Sequence, residues 1–375
     1  MRLPLVFQHI LLLNLCLFFM TSTEVPALTQ IYVVQKGDSL WEIAKKFDIS
    51  VKELKKINHL RSNRIYQGQK LHITIQIPEF SATNGPYFYT KPKAEVQESR
   101  NYREASKFKP IEDYQKAVAL LRAFNANIDA ELQSYKHKSQ LLKGWRIVLD
   151  PGHGGRDPGA IVSNKDGEDR AVHVVEDEYV YDIAMRLYKK LKLEGAGVEL
   201  TVISPNHHIR ENLQATITFV HEQNEVYHDE KTNLKNAFSV RPASANINQR
   251  ARIANRFFKG AQKGHTLFIS VHADNSPNRP KGPLVLYQNS KGKIDTRSRT
   301  FAQIMQKTLD HPGMPAQIGG RNLAVLRNNN AQAEILVEIR NVHDKGEAWA
   351  LRFHSRREAD ADRIFQGVLN YIKKR

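Results

Sequence analysis

The chain of 375 residues carries 56 Lys and Arg against 39 Asp and Glu, a formal charge of +17, and 41% of it is hydrophobic. That length supplies ordinary cores for more than one domain, and the single cysteine, Cys16, excludes a disulfide framework. The positive surplus points to an acidic polymer or an anionic surface; the basic residues are spread along the chain without zinc-finger spacing, which argues against nucleic acid.

Residues 1–27 read as a secretory signal peptide: Arg2, an apolar run from Leu3 to Met20, and a small-residue cleavage site at Val25-Pro26-Ala27. Gln8, His9 and Asn14 interrupt the run and weaken the competing reading of an uncleaved membrane anchor. Cys16 follows Leu15, where lipidation prefers a small residue, so no lipid anchor is expected. Removal of the leader leaves a mature chain without a thiol for catalysis or metal binding.

Residues 31–74 form the next unit. Ile31 to Val34 reads as a strand, Gly37-Asp38 as a turn, and Leu40-Trp41-Glu42-Ile43-Ala44 as a helix capped by Asp38 or Ser39. A second helix starts near Ser50, and a strand closes the unit after Gly68. Residues 75–143 are read as linker and helix. Pro, Ser, Asn, Lys and Tyr dominate residues 78–109, whereas Tyr114, Ala117, Leu120, Leu121, Phe124, Ile128, Leu132 and Tyr135 recur at helical spacing, predicting a helix or helix pair packed on the following domain.

Residues 144–375 carry the chemistry. The apolar strand Arg146-Ile147-Val148-Leu149 runs into Asp150-Pro151-Gly152-His153-Gly154-Gly155, where glycines permit the tight turn that presents a histidine. Glu176-Asp177-Glu178 opens a helix, the strand Thr266 to Val271 ends in His272-Ala273-Asp274, and Glu334-Ile335-Leu336-Val337 ends on Glu338. Three strands of an α/β sheet thus deliver His, His and Glu to their carboxyl edge, where open α/β folds place ligands. Other strands are expected at Gly282 to Tyr287 and Asn322 to Arg327, with a helix at Ser298 to Leu309. His173 and His207-His208 lack strand-end context and are assigned to solvated loops.

With Arg250-Ala251-Arg252-Ile253-Ala254-Asn255 and Ser270-Val271-His272-Ala273 added in order, the region from Trp145 to the C-terminus resembles the zinc-dependent N-acetylmuramoyl-L-alanine amidases. The resemblance implies a mixed-sheet α/β/α domain in which His153, Glu176 and His272 hold Zn²⁺ and Glu338 is the catalytic carboxylate. The substrate implied is the amide joining N-acetylmuramic acid to L-alanine in peptidoglycan. Glu176 is preferred to Glu178 as ligand because it stands five positions before Tyr181, as the family's ligand does before its first large apolar helix residue. Asp150, Asp157 and Asp274 are candidates to orient the ligand histidines. Arg250 is either a surface residue or a contact to a carboxylate or substrate.

Val33 to Trp41 with Gly68-Gln69-Lys70-Leu71-His72-Ile73 resembles a LysM module, a small βααβ unit that binds N-acetylglucosamine-containing glycans. It implies delivery of the enzyme to the wall polymer, at raised local concentration. Together the two resemblances point to an exported protein of the periplasm or cell wall, with stem-peptide carboxylates and anionic wall polymers as partners of the +17 charge and salt-sensitive wall binding as its consequence.

The chain also departs from the family. Ile339-Arg340-Asn341 replaces the usual sequence after the catalytic glutamate, so Arg340 is a candidate contact to a stem-peptide carboxylate. That contact would suit a zinc peptidase acting on the stem, and the altered residues would equally suit an inactive wall-binding protein. Val202 stands where the family strand carries arginine, and a polar insertion spans Ser204 to Ala245. The roughly fifty residues between His272 and Asn322 are too few for the autoinhibitory helix of some periplasmic members, which implies open access to the metal.

Overall fold

The computed structural model describes residues 27–35, 37–46, 50–76, 110–134, 140–165, 171–210, 219, 221–235, 247–290 and 293–374. The expected leader before Ala27, the expected linker over residues 78–109 and parts of the Ser204 to Ala245 insertion lie outside the described residues.

The first unit contains strand β1 (Ala27–Val33), helices α1 (Leu40–Lys46) and α2 (Val51–Ile57), and strand β2 (Lys70–Gln76), which pairs antiparallel with β1. Ser39 Oγ accepts from the backbone N–H of Glu42, so Ser39 caps the first helix, and Ser50 with Glu53 forms a capping box on the second. Val34, Leu40, Ile43, Ala44, Leu54, Leu71 and Ile73 make its core.

The linker segment ends in one helix, α3 (Pro110–Ser134), rather than a pair. Ala117, Leu121 and Ile128 face the main core, as the helical spacing predicts. Among the described residues no helix is long and apolar enough to cross a membrane.

The rest follows in chain order: β3 (Arg146–Pro151), the hairpin β4 (Ile161–Lys165) and β5 (Ala171–Val175), α4 (Glu176–Leu193), β6 (Gly197–Leu200), β7 (Val202–Ile203), β8 (Val226–Tyr227), α5 (Glu230–Lys235) and α6 (Ile247–Phe258). Then come β9 (Thr266–Asp274), β10 (Leu284–Ser290), β11 (Lys293–Ile294), α7 (Thr296–Leu309), β12 (Gln317–Arg321), α8 (Ala324–Arg327), β13 (Ala333–Asn341), α9 (Lys345–Leu351) and α10 (His354–Lys373). The main sheet runs β11-β10-β13-β9-β3-β6, with β12 paired to β10. Its centre, β13-β9-β3-β6, is parallel and β10 joins antiparallel, so the sheet is mixed.

Alternate residues of the central strands serve opposite faces, as period-two side chains must. Ile147, Leu149, Leu267, Ile269, Ile335 and Val337 join the core shared with α4, α7 and α10; Val148, Phe268 and Leu336 meet Ala254 and Phe258 of α6 and Val325 and Leu326 of α8. Burial on both faces explains why these strands read as continuous apolar runs. The result is an α/β/α sandwich around a mixed sheet.

One expected strand is absent. Asn322 to Arg327 holds the short helix α8, because Val325 and Leu326 fill the space against α6; six residues of apolar sequence do not distinguish the two conformations.

Candidate metal centre

Parallel pairing sets the site. Pro151 lies opposite Val271 and Glu338 opposite His272, so β3, β9 and β13 end at one edge. Beyond β3 the chain turns through three successive positive φ angles, 63° at His153, 96° at Gly154 and 64° at Gly155. A non-glycine residue rarely adopts this conformation, and its cost is borne where a side chain must be aimed.

Buried groups hold that turn from below. Asp150 Oδ1 accepts from Thr201 Oγ1 at 2.5 Å and from Arg250 NH1 at 2.8 Å, and Oδ2 accepts from Ser270 Oγ at 2.6 Å. Arg250 also donates to the carbonyl of Pro151 at 2.6 Å and to that of His153. Of its two expected roles, Arg250 therefore has the carboxylate contact: it is 5% exposed and braces the loop from α6. Glu225 Oε2 receives the Gly155 N–H at 2.8 Å.

Glu176 is the first residue of α4, where acids complement the helix N-terminus. Its Oε2 accepts from the Ala160 N–H at 2.8 Å and its Oε1 from the Ala273 N–H at 3.0 Å. The same Oε1 lies 3.2 Å from His153 Nε2 and 3.2 Å from His272 Nδ1, and the two rings meet edge to face at 4.9 Å between centroids. Around a tetrahedral ion with ligands at ~2.0–2.1 Å, donor atoms stand roughly 3.3 Å apart, so the three side chains fit a zinc-sized cation. Glycines leave room for them: a Cβ on Gly152 would come within 2.5 Å of His272 Nδ1, and one on Gly159 within 2.6 Å of Glu176 Oε2.

Glu338 is the one half-buried residue on an otherwise buried β13, and its Oε2 is shielded with no hydrogen-bond partner. Burial pushes its carboxyl up to about 7, with His272 pulling the other way. For His153, burial opposes the charged ring, but Asp157 and Glu176 outweigh it and raise the pKa to about 10. For Glu176, burial likewise opposes charge, yet His153 and His272 hold the carboxyl well below the usual range. An anionic carboxylate beside two imidazoles is a donor set for a divalent cation.

The other expectations divide. Of the three candidate orienting acids, Asp157 lies 3.0 Å from His153 Nδ1. Asp150 instead anchors the loop, and Asp274 pairs with Arg279 Nε at 2.6 Å. Glu178 turns away from the cluster to Arg210 at 2.6 Å. Arg340 is not available to a substrate: it is 3% exposed and forks onto both oxygens of Asp360 at 2.8 and 2.9 Å. His208 is buried and His207 packs between Arg210 and Tyr181, so neither belongs to a solvated loop. His173 is also structural, on β5, its carbonyl taking a hydrogen bond from Arg352. Sequence reasoning passed over Thr201, Glu225 and the Asp177–His221 pair; Ser270 lay in plain view before His272.

Comparison with known proteins identifies the families of both units. The family N-acetylmuramoyl-L-alanine amidase matches residues 147–370, and the LysM domain matches residues 32–74. An uncharacterized cell wall amidase of Bacillus anthracis is 25% identical over 248 residues, 64% of this chain and 37% of that protein. The probable cell wall amidase LytH of Staphylococcus aureus is 36% identical over 81 residues, 22% of this chain and 25% of that protein. The chain thus spans well under half the length of these curated relatives. Among solved structures, the N-acetylmuramoyl-L-alanine amidase AmiC2 of Nostoc punctiforme is similar at 22% identity and a TM-score of 0.39, covering 61% of this chain and 98% of that one. The match over residues 147–370, well over half of the chain, places it in the N-acetylmuramoyl-L-alanine amidase family, with a LysM domain ahead of the family region.

Proposed function

We propose that this protein is a zinc-dependent hydrolase of the amide between N-acetylmuramic acid and L-alanine, with residues 144–375 as its catalytic domain and 31–74 as its wall-binding module. The observation that carries the reading is the convergence of His153, Glu176 and His272, whose donor atoms lie within 4.8 Å of one another beside the unpartnered Glu338 Oε2. His153, Glu176 and His272 would hold the ion. When bound, zinc acidifies water and polarises the scissile carbonyl.

Glu338 supplies the proton traffic. Its carboxylate takes a proton from water as the water oxygen bonds to the lactyl carbonyl carbon; as the carbon–nitrogen bond breaks, it returns that proton to the alanine nitrogen. A carboxyl raised to about 7 suits both steps, because neither form is far from equilibrium near neutral pH. The Ala160 and Ala273 N–H groups fix Glu176, and the Asp157 carboxylate stands 3.0 Å from His153 Nδ1 as a charge partner for that ring, so Glu176 is aimed before the cation arrives.

Exposed Tyr66 on the LysM unit offers a flat apolar face suited to sugar rings. Export to the periplasm or wall, with peptidoglycan as the partner of both units, completes the reading. The buried pairing of Arg340 with Asp360 removes the contact on which a stem-peptidase reading rested. The test is metal removal and return: chelation should abolish release of peptide from peptidoglycan, and zinc should restore it in the native protein but not in Glu338→Gln, which should still bind zinc. Full activity in Glu338→Gln would overturn the assignment.

A further inference from the structure

A second constellation lies beside the first, built in part by the inserted segment. Asp177, in the first turn of α4, His221 and Glu225 present donor atoms within 4.8 Å of one another, and all three are buried. His221 Nδ1 is 2.5 Å from Asp177 Oδ2. Glu225 spends one oxygen on the Gly155 N–H at 2.8 Å. The remaining oxygens, Asp177 Oδ1 and Glu225 Oε1, are shielded from solvent and have no hydrogen-bond partner, on residues only 3% and 4% exposed.

Charge balance makes this arrangement unusual. Neighbouring Glu178 is neutralised by Arg210 at 2.6 Å. Among the described residues no Lys or Arg forms an ion pair with Asp177 or Glu225. Buried carboxylates are costly, and proteins meet that cost with a proton, a partner charge or a metal; here the His221 ring is the only side-chain partner that Asp177 has among the described residues, and the free oxygens of Asp177 and Glu225 face the same space. One imidazole and two carboxylates form a mixed nitrogen and oxygen set that suits Zn²⁺ or Mn²⁺ better than Ca²⁺ or Mg²⁺, which favour oxygen alone.

We propose that Asp177, His221 and Glu225 form a second divalent transition-metal site, which fastens the inserted segment beneath the loop that carries His153. Its role is to position that loop. Asp177 follows the ligand Glu176, and Glu225 holds the loop at Gly155, so an ion there ties the insertion, the start of α4 and the His153 turn together.

Metal content of the full-length protein tests this separately from the catalytic reading. Chelator-stripped protein is titrated with Zn²⁺, and in parallel with Mn²⁺, while ions per chain are counted by native mass spectrometry. Wild type should take up two ions; Glu225→Gln, whose amide oxygen still accepts from Gly155, should take up one, and so should His272→Ala. The double variant should bind none. Equal uptake by wild type and Glu225→Gln would overturn the inference and leave a hydrogen-bonded Asp177–His221 strut, while loss of an ion in His272→Ala would still uphold the catalytic site. Should Glu225→Gln fail to fold, the wild-type titration decides: two ions support the site and a single ion overturns it.

Discussion

Replacing Gly152 by alanine perturbs the packing of the candidate metal centre while leaving every proposed ligand in the sequence. The new Cβ would lie 2.5 Å from His272 Nδ1 and 2.7 Å from Nε2, inside the 3.0 Å that real Cβ atoms respect. Gly152 is not among the positive-φ glycines, so the backbone accepts alanine and the clash is purely steric. Its N–H is tied to the Val271 carbonyl at 2.8 Å, which pins the loop and makes the His272 ring yield. Overpacking of this kind costs ~1–3 kcal/mol. Displacing a ligand's support weakens metal binding about 10–100-fold, which removes ~1.4–2.7 kcal/mol of metal-dependent stability. At about 2–4 °C per kcal/mol for a domain of this size, the zinc-induced rise in Tm should shrink by ~3–11 °C. Calorimetry of the stripped and zinc-loaded forms, with a competing chelator to obtain Kd, measures both effects. A Gly152→Ala protein that binds zinc as tightly as wild type would refute the steric argument. Gly159→Ala should be worse, since φ there is +68° and its Cβ would meet Glu176 Oε2 at 2.6 Å.

Other substitutions test the supporting charges. Arg250→Ala leaves Asp150 buried without its cation and should cost about 3–5 kcal/mol in a denaturant titration; Arg250→Lys should recover only part, because one ammonium cannot replace the guanidinium fork. Asp182 lies between Arg186 and Arg357, each at 2.7 Å, and although burial opposes its charge they hold its carboxyl well below the usual range. Its contribution is complete above the unfolded pKa of about 3.9 and lost as pH falls, so the deficit of Asp182→Asn should be large at pH 7 and shrink on acidification. Glu334 behaves oppositely: burial, aided by Asp295, pushes it up to about 8, so the fold bears a growing penalty as pH climbs from about 4.3. Glu334→Gln should therefore stabilise at pH 9 and be near neutral at pH 4, and an equal gain at both would contradict the assignment.

How much of this was legible in the sequence depended on whether a residue's partner was local. His153, Glu176, His272 and Glu338 could be found because each closes a strand or opens a helix, and strand pairing then carries them to one edge. The LysM turns and caps, Ser39 and Ser50, are equally local. Arg340 and Arg250 were not legible, since their meanings lie in Asp360 and Asp150, 20 and 100 residues away. The histidines at 207 and 208 looked solvated for the same reason; a polar insertion gives no sign that it folds back on α4 and α3. Apolar periodicity located the helix of residues 110–134 but misassigned Asn322 to Arg327, where packing alone chose a turn of helix.

The central claim, that the His153–Glu176–His272 centre with Glu338 cuts the muramoyl–alanine amide, is tested most directly by the mass of what leaves peptidoglycan. Zinc-loaded wild type should release stem peptides with a free L-alanine amino terminus, and Glu338→Gln or chelated protein should release none. Shortened peptides still attached to muramic acid would instead mean a peptidase, and bound but uncut wall would mean a binding protein; either would contradict the account.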